Sequence, residues 1–274
     1  MNSHVYQDVT RKIVQSLERG VKPWVCPWND EAPLILPANY VTRKPYQGTN
    51  VLVLWQHGRE RGFSSRYWLT YLQAKTLNGH VRRSEKGVKV LIFKSREDED
   101  GQTMTYSSSA TVYNADQIDG VDFEGDAEEQ TQCCSNGAAE ILLRRSQAKI
   151  VLQGHHAFYR PSQDVIFLPE RSRFERDCDY YATALHELVH WSGAQSRLDR
   201  PIRGKFGSAE YAYEELIAEL GCAFLMADLG VTGDVQHESY LAHWLSCLKE
   251  DKTYLFKAVN QASKAHQFLM SFVS

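Results

Sequence analysis

His186-Glu187-Leu188-Val189-His190 places two imidazoles four residues apart with a carboxylate between them. On a helix, positions four apart lie on one face about one turn from each other, so both rings can ligate one metal ion. The adjacent Glu187 can reach a water at that ion and act as general base, which is peptidase chemistry. Zinc is the expected metal; manganese or another divalent ion suits the same nitrogen and oxygen donors. The competing explanation is a surface His-Glu-His cluster on an amphipathic helix.

The third ligand sets the subclass. In the continuation H-x-x-G-x-x-H a histidine supplies it, but here Gly193 is followed by Ser196 where that histidine would stand. A glutamate from a later helix is the other common solution. The stretch Tyr213-Glu214-Glu215-Leu216-Ile217-Ala218-Glu219 puts Glu215 and Glu219 on one helical face. Glu215 is assigned to the metal and Glu219 to the second shell, bonded to a ligating ring nitrogen. Glu214 competes for the ligand role. Three ligands leave a fourth position for water, as in catalytic zinc sites. Tyr211, Tyr213 and His237 are candidate donors to the oxyanion.

These residues need helices to carry them. Periodicity predicts one over residues 179–192, with Asp177 or Asp179 as cap and Gly193 as stop, and another over 208–229. Small Ala218 and Cys222 would let the two approach closely. Further helices are expected at 6–19, 138–148, 239–250 and 252–272. Strands are expected at 88–93 and 110–114, at 149–152, and in a hairpin of 157–159 with 164–168. Residues 69–77 read as helix, and 49–56 as a helix or a buried strand.

Composition bounds the rest. The 274 residues carry a net charge of −3, with 43% hydrophobic and 24% charged residues, the profile of an ordinary soluble protein. No apolar run is long enough to span a bilayer and the N-terminus does not read as a signal peptide, so no membrane partner and a cytoplasmic location are expected. None of the six cysteines forms a C-x-x-C pair, and free thiols are expected.

The charge is unevenly spread. Residues 1–95 hold 15 Lys/Arg against 6 Asp/Glu, and residues 96–130 hold 1 against 11. In the basic block Trp24, Trp28, Tyr46 and Trp68 alternate with Arg43, Lys44, Arg66, Arg82, Arg83 and Lys86. Single-stranded nucleic-acid binders use this mixture, with cations on phosphates and aromatic faces on bases. The competing role of each aromatic is a place in a core. Residues 124–137, acidic and Gln-rich, are the linker candidate. The expected fold class is α+β: a mixed N-terminal domain over 1–123, the linker 124–137, and a mainly helical domain with a small sheet over 138–274.

The chain resembles the ArdC antirestriction proteins of conjugative plasmids. The first half carries the likeness in Pro23-Trp24, Pro27-Trp28-Asn29, Asn39-Tyr40, Pro45-Tyr46-Gln47-Gly48-Thr49-Asn50 and Arg66-Tyr67-Trp68-Leu69-Thr70. The second half carries it in Tyr180-Tyr181-Ala182-Thr183, His186 to His190, Ser196-Arg197-Leu198, Phe206-Gly207-Ser208 and Tyr213-Glu214-Glu215-Leu216. The resemblance implies an N-terminal single-stranded DNA-binding domain and a C-terminal zincin-like metallopeptidase domain. It also implies a plasmid-encoded bacterial protein that protects DNA entering by conjugation from host restriction. By position it puts the family's motif on His186, Glu187 and His190 and its glutamate helix on Glu214 to Glu219. Two functions follow: an antirestriction factor that is also a zinc peptidase acting on a protein substrate, or a non-catalytic DNA-binding protein with a structural or vestigial metal site.

Overall fold

The computed structural model describes residues 3–20, 22, 24, 35–97, 103–123, 136–202, 208–233, 241–251 and 253–273. Its contacts divide the chain into two compact units, Met1–Val9 with Leu36–Glu129 and Thr10–Ile35 with Gln130–Ser274. The expected division was 1–123, a linker over 124–137, and 138–274; in this grouping by contacts residues 10–35 fall with the C-terminal part. The reason is burial: Ile13 and Leu17 of helix α1 (Ser3–Glu18) and the following Trp24 are core residues, and Glu18 pairs with Lys249 at 2.6 Å.

The first unit is built on a four-stranded sheet. Strands β1 (Ala38–Asn39) and β2 (Tyr67–Thr70) are parallel, and β2 is followed across the sheet by antiparallel β5 (Thr103–Asn114) and β4 (Val88–Glu97). Trp68 pairs with Asn114, and Val88 with Val112. The β4–β5 ribbon is longer than the sequence suggested, with backbone pairing running from Val88–Val112 out to Glu97–Thr103. Residues 49–56 resolve to a helix, α2 (Thr49–Arg61), closed by Gly62 in the left-handed conformation. Asn50 pins it to the sheet edge: its amide donates to the Leu91 carbonyl and accepts from the Leu91 N–H, both at 2.8 Å.

The expected helix over 69–77 begins later. Leu69 and Thr70 end β2, and Thr70 caps the short α3 (Tyr71–Thr76) in a reciprocal box with Gln73. Two-residue strands β3 (His80–Val81) and β6 (Ile118–Asp119) form a separate ladder.

The second unit is mainly helical around a three-stranded sheet. Helix α4 (Asn136–Ser146) leads into β7 (Lys149–Leu152), then β8 (Phe158–Arg160) and β9 (Val165–Leu168). The central strand β9 pairs parallel with β7 and antiparallel with β8. There follow α5 (Asp177–Ser192), α6 (Ala209–Leu229), α7 (Leu241–Glu250) and α8 (Tyr254–Met270). The buried Trp244 of α7 donates its indole N–H to the Ala212 carbonyl of α6 at 2.7 Å. Leu255, Val259 and Ala262 line the buried side of α8. None of the described helices is long and apolar enough to cross a membrane. Cys178, Cys222 and Cys247 are free thiols.

Candidate metal centre

Helix α5 is buried over nearly its whole length, from Asp179 to Ser192, and α6 from Glu214 to Leu225. A helix buried on all sides is ordinarily apolar throughout. These two nevertheless carry His186, Glu187 and His190 on one and Glu214, Glu215 and Glu219 on the other, all under a tenth exposed. Buried ionisable groups persist where they are paired or ligate a cation. The start of α5 departs from expectation: neither Asp177 nor Asp179 caps it, because Arg171 holds the first at 2.7 Å and Arg176 the second at 2.6 Å. Close approach of α5 and α6 depends on Gly221, where an added Cβ would stand 2.9 Å from Cγ1 of Val189. Cys222 adds a thiol bond to the Ala182 carbonyl at 3.3 Å.

This approach brings three donors together. His186 Nε2 lies 3.2 Å from His190 Nε2, and the two rings stand edge to face with an interplanar angle of 76°. Glu215 presents Oε2 to His186 Nε2 at 3.4 Å and Oε1 to His190 Nε2 at 3.5 Å. Zinc–nitrogen and zinc–oxygen bonds of ~2.0–2.2 Å imply ligand separations of about 3.3–3.5 Å on a tetrahedral face. The separations are close to that size, with the two imidazoles facing different oxygens of Glu215; one donor atom from each of His186, His190 and Glu215 lies within 4.8 Å of the others, and the residue types are a divalent-metal donor set.

The electrostatics fit the same use. Burial penalises charge on His190, but the carboxylates of Glu215 and Glu214 outweigh it and raise the imidazole well above its usual value. Burial likewise opposes ionisation of Glu215, yet the facing His190 and His186 hold it well below the carboxylate range. The facing carboxylates and imidazoles thus favour each other's charged forms, and the carboxylates set up a negative field at the His190 ring. Glu187, 6% exposed, stands beside His186 and adds to the field at His190.

Around these donors, Glu214 and Glu219 make different contacts. Glu219 was expected on a ligating ring nitrogen; the contacts described for its carboxylate are with Lys22 and Trp24. It accepts from Lys22 Nζ at 2.7 Å and from Trp24 Nε1 at 3.3 Å, one turn beyond Glu215. The carboxylate bonded to a ligand ring is Glu214, whose Oε1 lies 3.2 Å from His190 Nδ1. A helix turns about 100° per residue, so neighbouring Glu214 and Glu215 reach the His190 ring at its two nitrogens, Nδ1 and Nε2. Arg200, which sequence reasoning missed, binds both Glu214 oxygens, with Nη2–Oε1 at 2.7 Å and Nε–Oε2 at 3.1 Å. Nothing in its local sequence separates it from a surface arginine. Tyr213 lies edge to face with Tyr254, and burial, with Glu214 nearby, pushes its phenol up to about 12. His237 lies outside the described residues.

The nucleic-acid candidates divide. Trp24 is 1% exposed and sits in the second unit, stacked at a tilt on Trp244. Trp68 is 2% exposed, in a core with Leu54, Val90 and Val112, against which Tyr46 packs. Neither tryptophan offers a face to a base, which corrects that expectation. Both are large apolar rings adjacent to a core, and burial there returns more than exposure. Trp28 lies outside the described residues. Arg43, at φ 56°, stacks over Tyr40 and Tyr67 at 4.2 and 4.9 Å, and Arg66 lies 5.6 Å from the Tyr67 ring. Arg82 is tied to Asp119, Glu85 and the Asp116 carbonyl. Lys44, Arg83 and Lys86 are exposed.

Comparison with known proteins divides the chain near residue 135. Residues 3–132 match the N-terminal domain of anti-restriction factor ArdC, and residues 137–261 match the zincin-like metallopeptidases. Crystal structures of the antirestriction ArdC protein from the R388 plasmid, one metal-free and one Mn(II)-bound, are 38% identical with a TM-score of 0.82. The metal-free one covers 97% of both chains, and the Mn(II)-bound one 98% of both. A protein of Sinorhizobium fredii, y4eC, is 35% identical over 96% of this chain and 89% of its own length. Two DNA primases TraC of Escherichia coli are 38% and 36% identical over 97% of this chain, which spans only 20% and 27% of their lengths.

Proposed function

This chain belongs to the ArdC antirestriction family, and from that premise we propose that it binds single-stranded DNA entering by conjugation, protects it from restriction, and carries a divalent-metal peptidase site. The observation behind the peptidase reading is the buried donor triangle of His186, His190 and Glu215 with Glu187 beside it. His186 and His190 would hold the ion through Nε2 and Glu215 through its carboxylate. Zinc is the first choice for three such ligands, and the Mn(II)-bound relative supports manganese as the alternative.

When bound, the metal supplies a Lewis acid that polarises the scissile carbonyl. Glu187 takes the proton of the attacking water on its carboxylate and returns it to the departing amine, a general acid–base role worth about 10²–10⁴-fold in rate. The surrounding helices exclude bulk solvent and so strengthen each of these interactions. For the DNA, the support is the basic block, with Arg43, Lys44, Arg83 and Lys86 exposed in the first unit. Cations of that kind bind phosphate, and sequence-independent affinity follows.

Glu187→Ala separates the two activities. Tested in vivo for protection of incoming DNA and in vitro for cleavage of host-cell proteins, the variant is expected to lose proteolysis by at least ~10²-fold. Undiminished cleavage would reject the catalytic assignment. Full protection by a protein that no longer cleaves would make antirestriction a matter of binding alone.

A further inference from the structure

Arg200 is a charged side chain inside the second unit, 5% exposed, and burying a guanidinium costs several kcal/mol unless its donors are all met. Here they are directed at three groups around one point. The fork Nε/Nη2 spans the two oxygens of Glu214. Nη1 donates to Ser192 Oγ at 3.0 Å, and Nη2 also to the Val189 carbonyl at 2.6 Å. Val189 and Ser192 flank His190 on α5, and Glu214 is the residue on its Nδ1. One guanidinium therefore grips both the helical turn that carries the imidazole and the carboxylate that faces it.

We infer that Arg200 is a positioning residue for the metal centre, acting on the ligand His190 through Glu214. This rests on the reading of His186, His190 and Glu215 as metal ligands. A histidine ring can turn over about its Cβ–Cγ bond, which exchanges a nitrogen for a carbon at the metal, and either nitrogen can carry the proton. A carboxylate on Nδ1 removes both freedoms, leaving the Nε2 lone pair toward His186 and Glu215. Glu214 can do so only while its own torsions are held. A bidentate guanidinium holds them in a way that a lysine point charge cannot.

The local sequence is shaped around this contact. At Gly193 an added Cβ would stand 2.7 Å from Arg200 Nη2 and 2.8 Å from Cζ. Ile202 Cδ1 would stand equally close, at 2.7 Å, and the backbone is ordinary, with φ −82°, so glycine here makes room for the guanidinium and Ile202 rather than for a left-handed turn.

Zinc affinity, measured by competition with a chromophoric chelator on the full chain, tests the relay. Glu214→Gln is expected to weaken zinc binding by about 10–100-fold and Arg200→Lys to weaken it in the same direction. Because both act on one contact, the double variant should bind no more weakly than Glu214→Gln alone. Circular dichroism and melting of the chelator-treated variants report folding separately from affinity. If Arg200→Lys fails to fold, histidine ¹⁵N NMR of the zinc-loaded wild-type chain decides without it: His190 should coordinate through Nε2 and keep its proton on Nδ1. Wild-type affinity in either folded variant, additive losses in the double variant, or coordination of His190 through Nδ1 would overturn the inference. A wild-type chain that takes up no zinc or Mn(II) would instead overturn the ligand assignment on which it rests.

Discussion

The two units handle their ionisable residues in opposite ways. In the second unit carboxylates, imidazoles and a guanidinium are drawn into the interior of α5 and α6, where each meets a partner of defined geometry. In the first unit Lys44, Arg83 and Lys86 stay outside while Trp68 goes in. A metal centre needs fixed distances, which only a packed interior imposes. A phosphate-binding face needs charge at the surface and tolerates motion, because its attraction is long-ranged and non-directional. Interior polar residues should therefore be costly to remove, and exterior cations should not.

The largest expected effect is at Arg200. Its removal in Arg200→Ala leaves the Glu214 carboxylate buried beside His190 without its cation, at a cost of about 3–5 kcal/mol. Urea unfolding of the metal-free protein measures this, and a loss under ~1 kcal/mol would mean that water replaces the guanidinium easily.

Trp24 gives a smaller effect and separates the two roles that a tryptophan can have. Trp24→Phe keeps a buried ring but removes the N–H that Glu219 accepts, with an expected cost of about 1–3 kcal/mol. Affinity for single-stranded DNA should be unchanged. A drop in affinity without loss of stability would put Trp24 back among the DNA contacts.

The smallest stability change is expected at Arg83 and Lys86, where alanine should shift unfolding by no more than about 0.5 kcal/mol. Their readout is binding: each phosphate contact removed should lower the slope of log affinity against log salt by ~0.7 for a single strand. Unaltered affinity and slope in the double variant would move the DNA surface elsewhere on the chain.

Legibility in the sequence follows the same contrast. His186, Glu187 and His190 were readable because one helix suffices to bring them together, and Glu215 because its helix was apolar enough to be placed in the interior. Glu214 and Glu219 were not separable by spacing. Both sit on a helix against the same site, and only the rotation of α6 relative to the His190 ring gives the nearer nitrogen to Glu214. In the first unit, the apolar run Val88–Phe93 was readable as a strand, but the extent of the ribbon to Glu97 and Thr103 was not, because it is set by pairing with a partner strand.

By itself the sequence determined the family and which residues could serve as a metal donor set, because motif spacing and residue order are properties of the chain. Tertiary structure alone decided that Arg200 closes on Glu214, that Trp24 and Lys22 meet Glu219, and that Trp68 is core. Those pairings join residues 14 and about 195 positions apart. No local propensity encodes such contacts; they follow from which buried charges the packed helices leave to be neutralised.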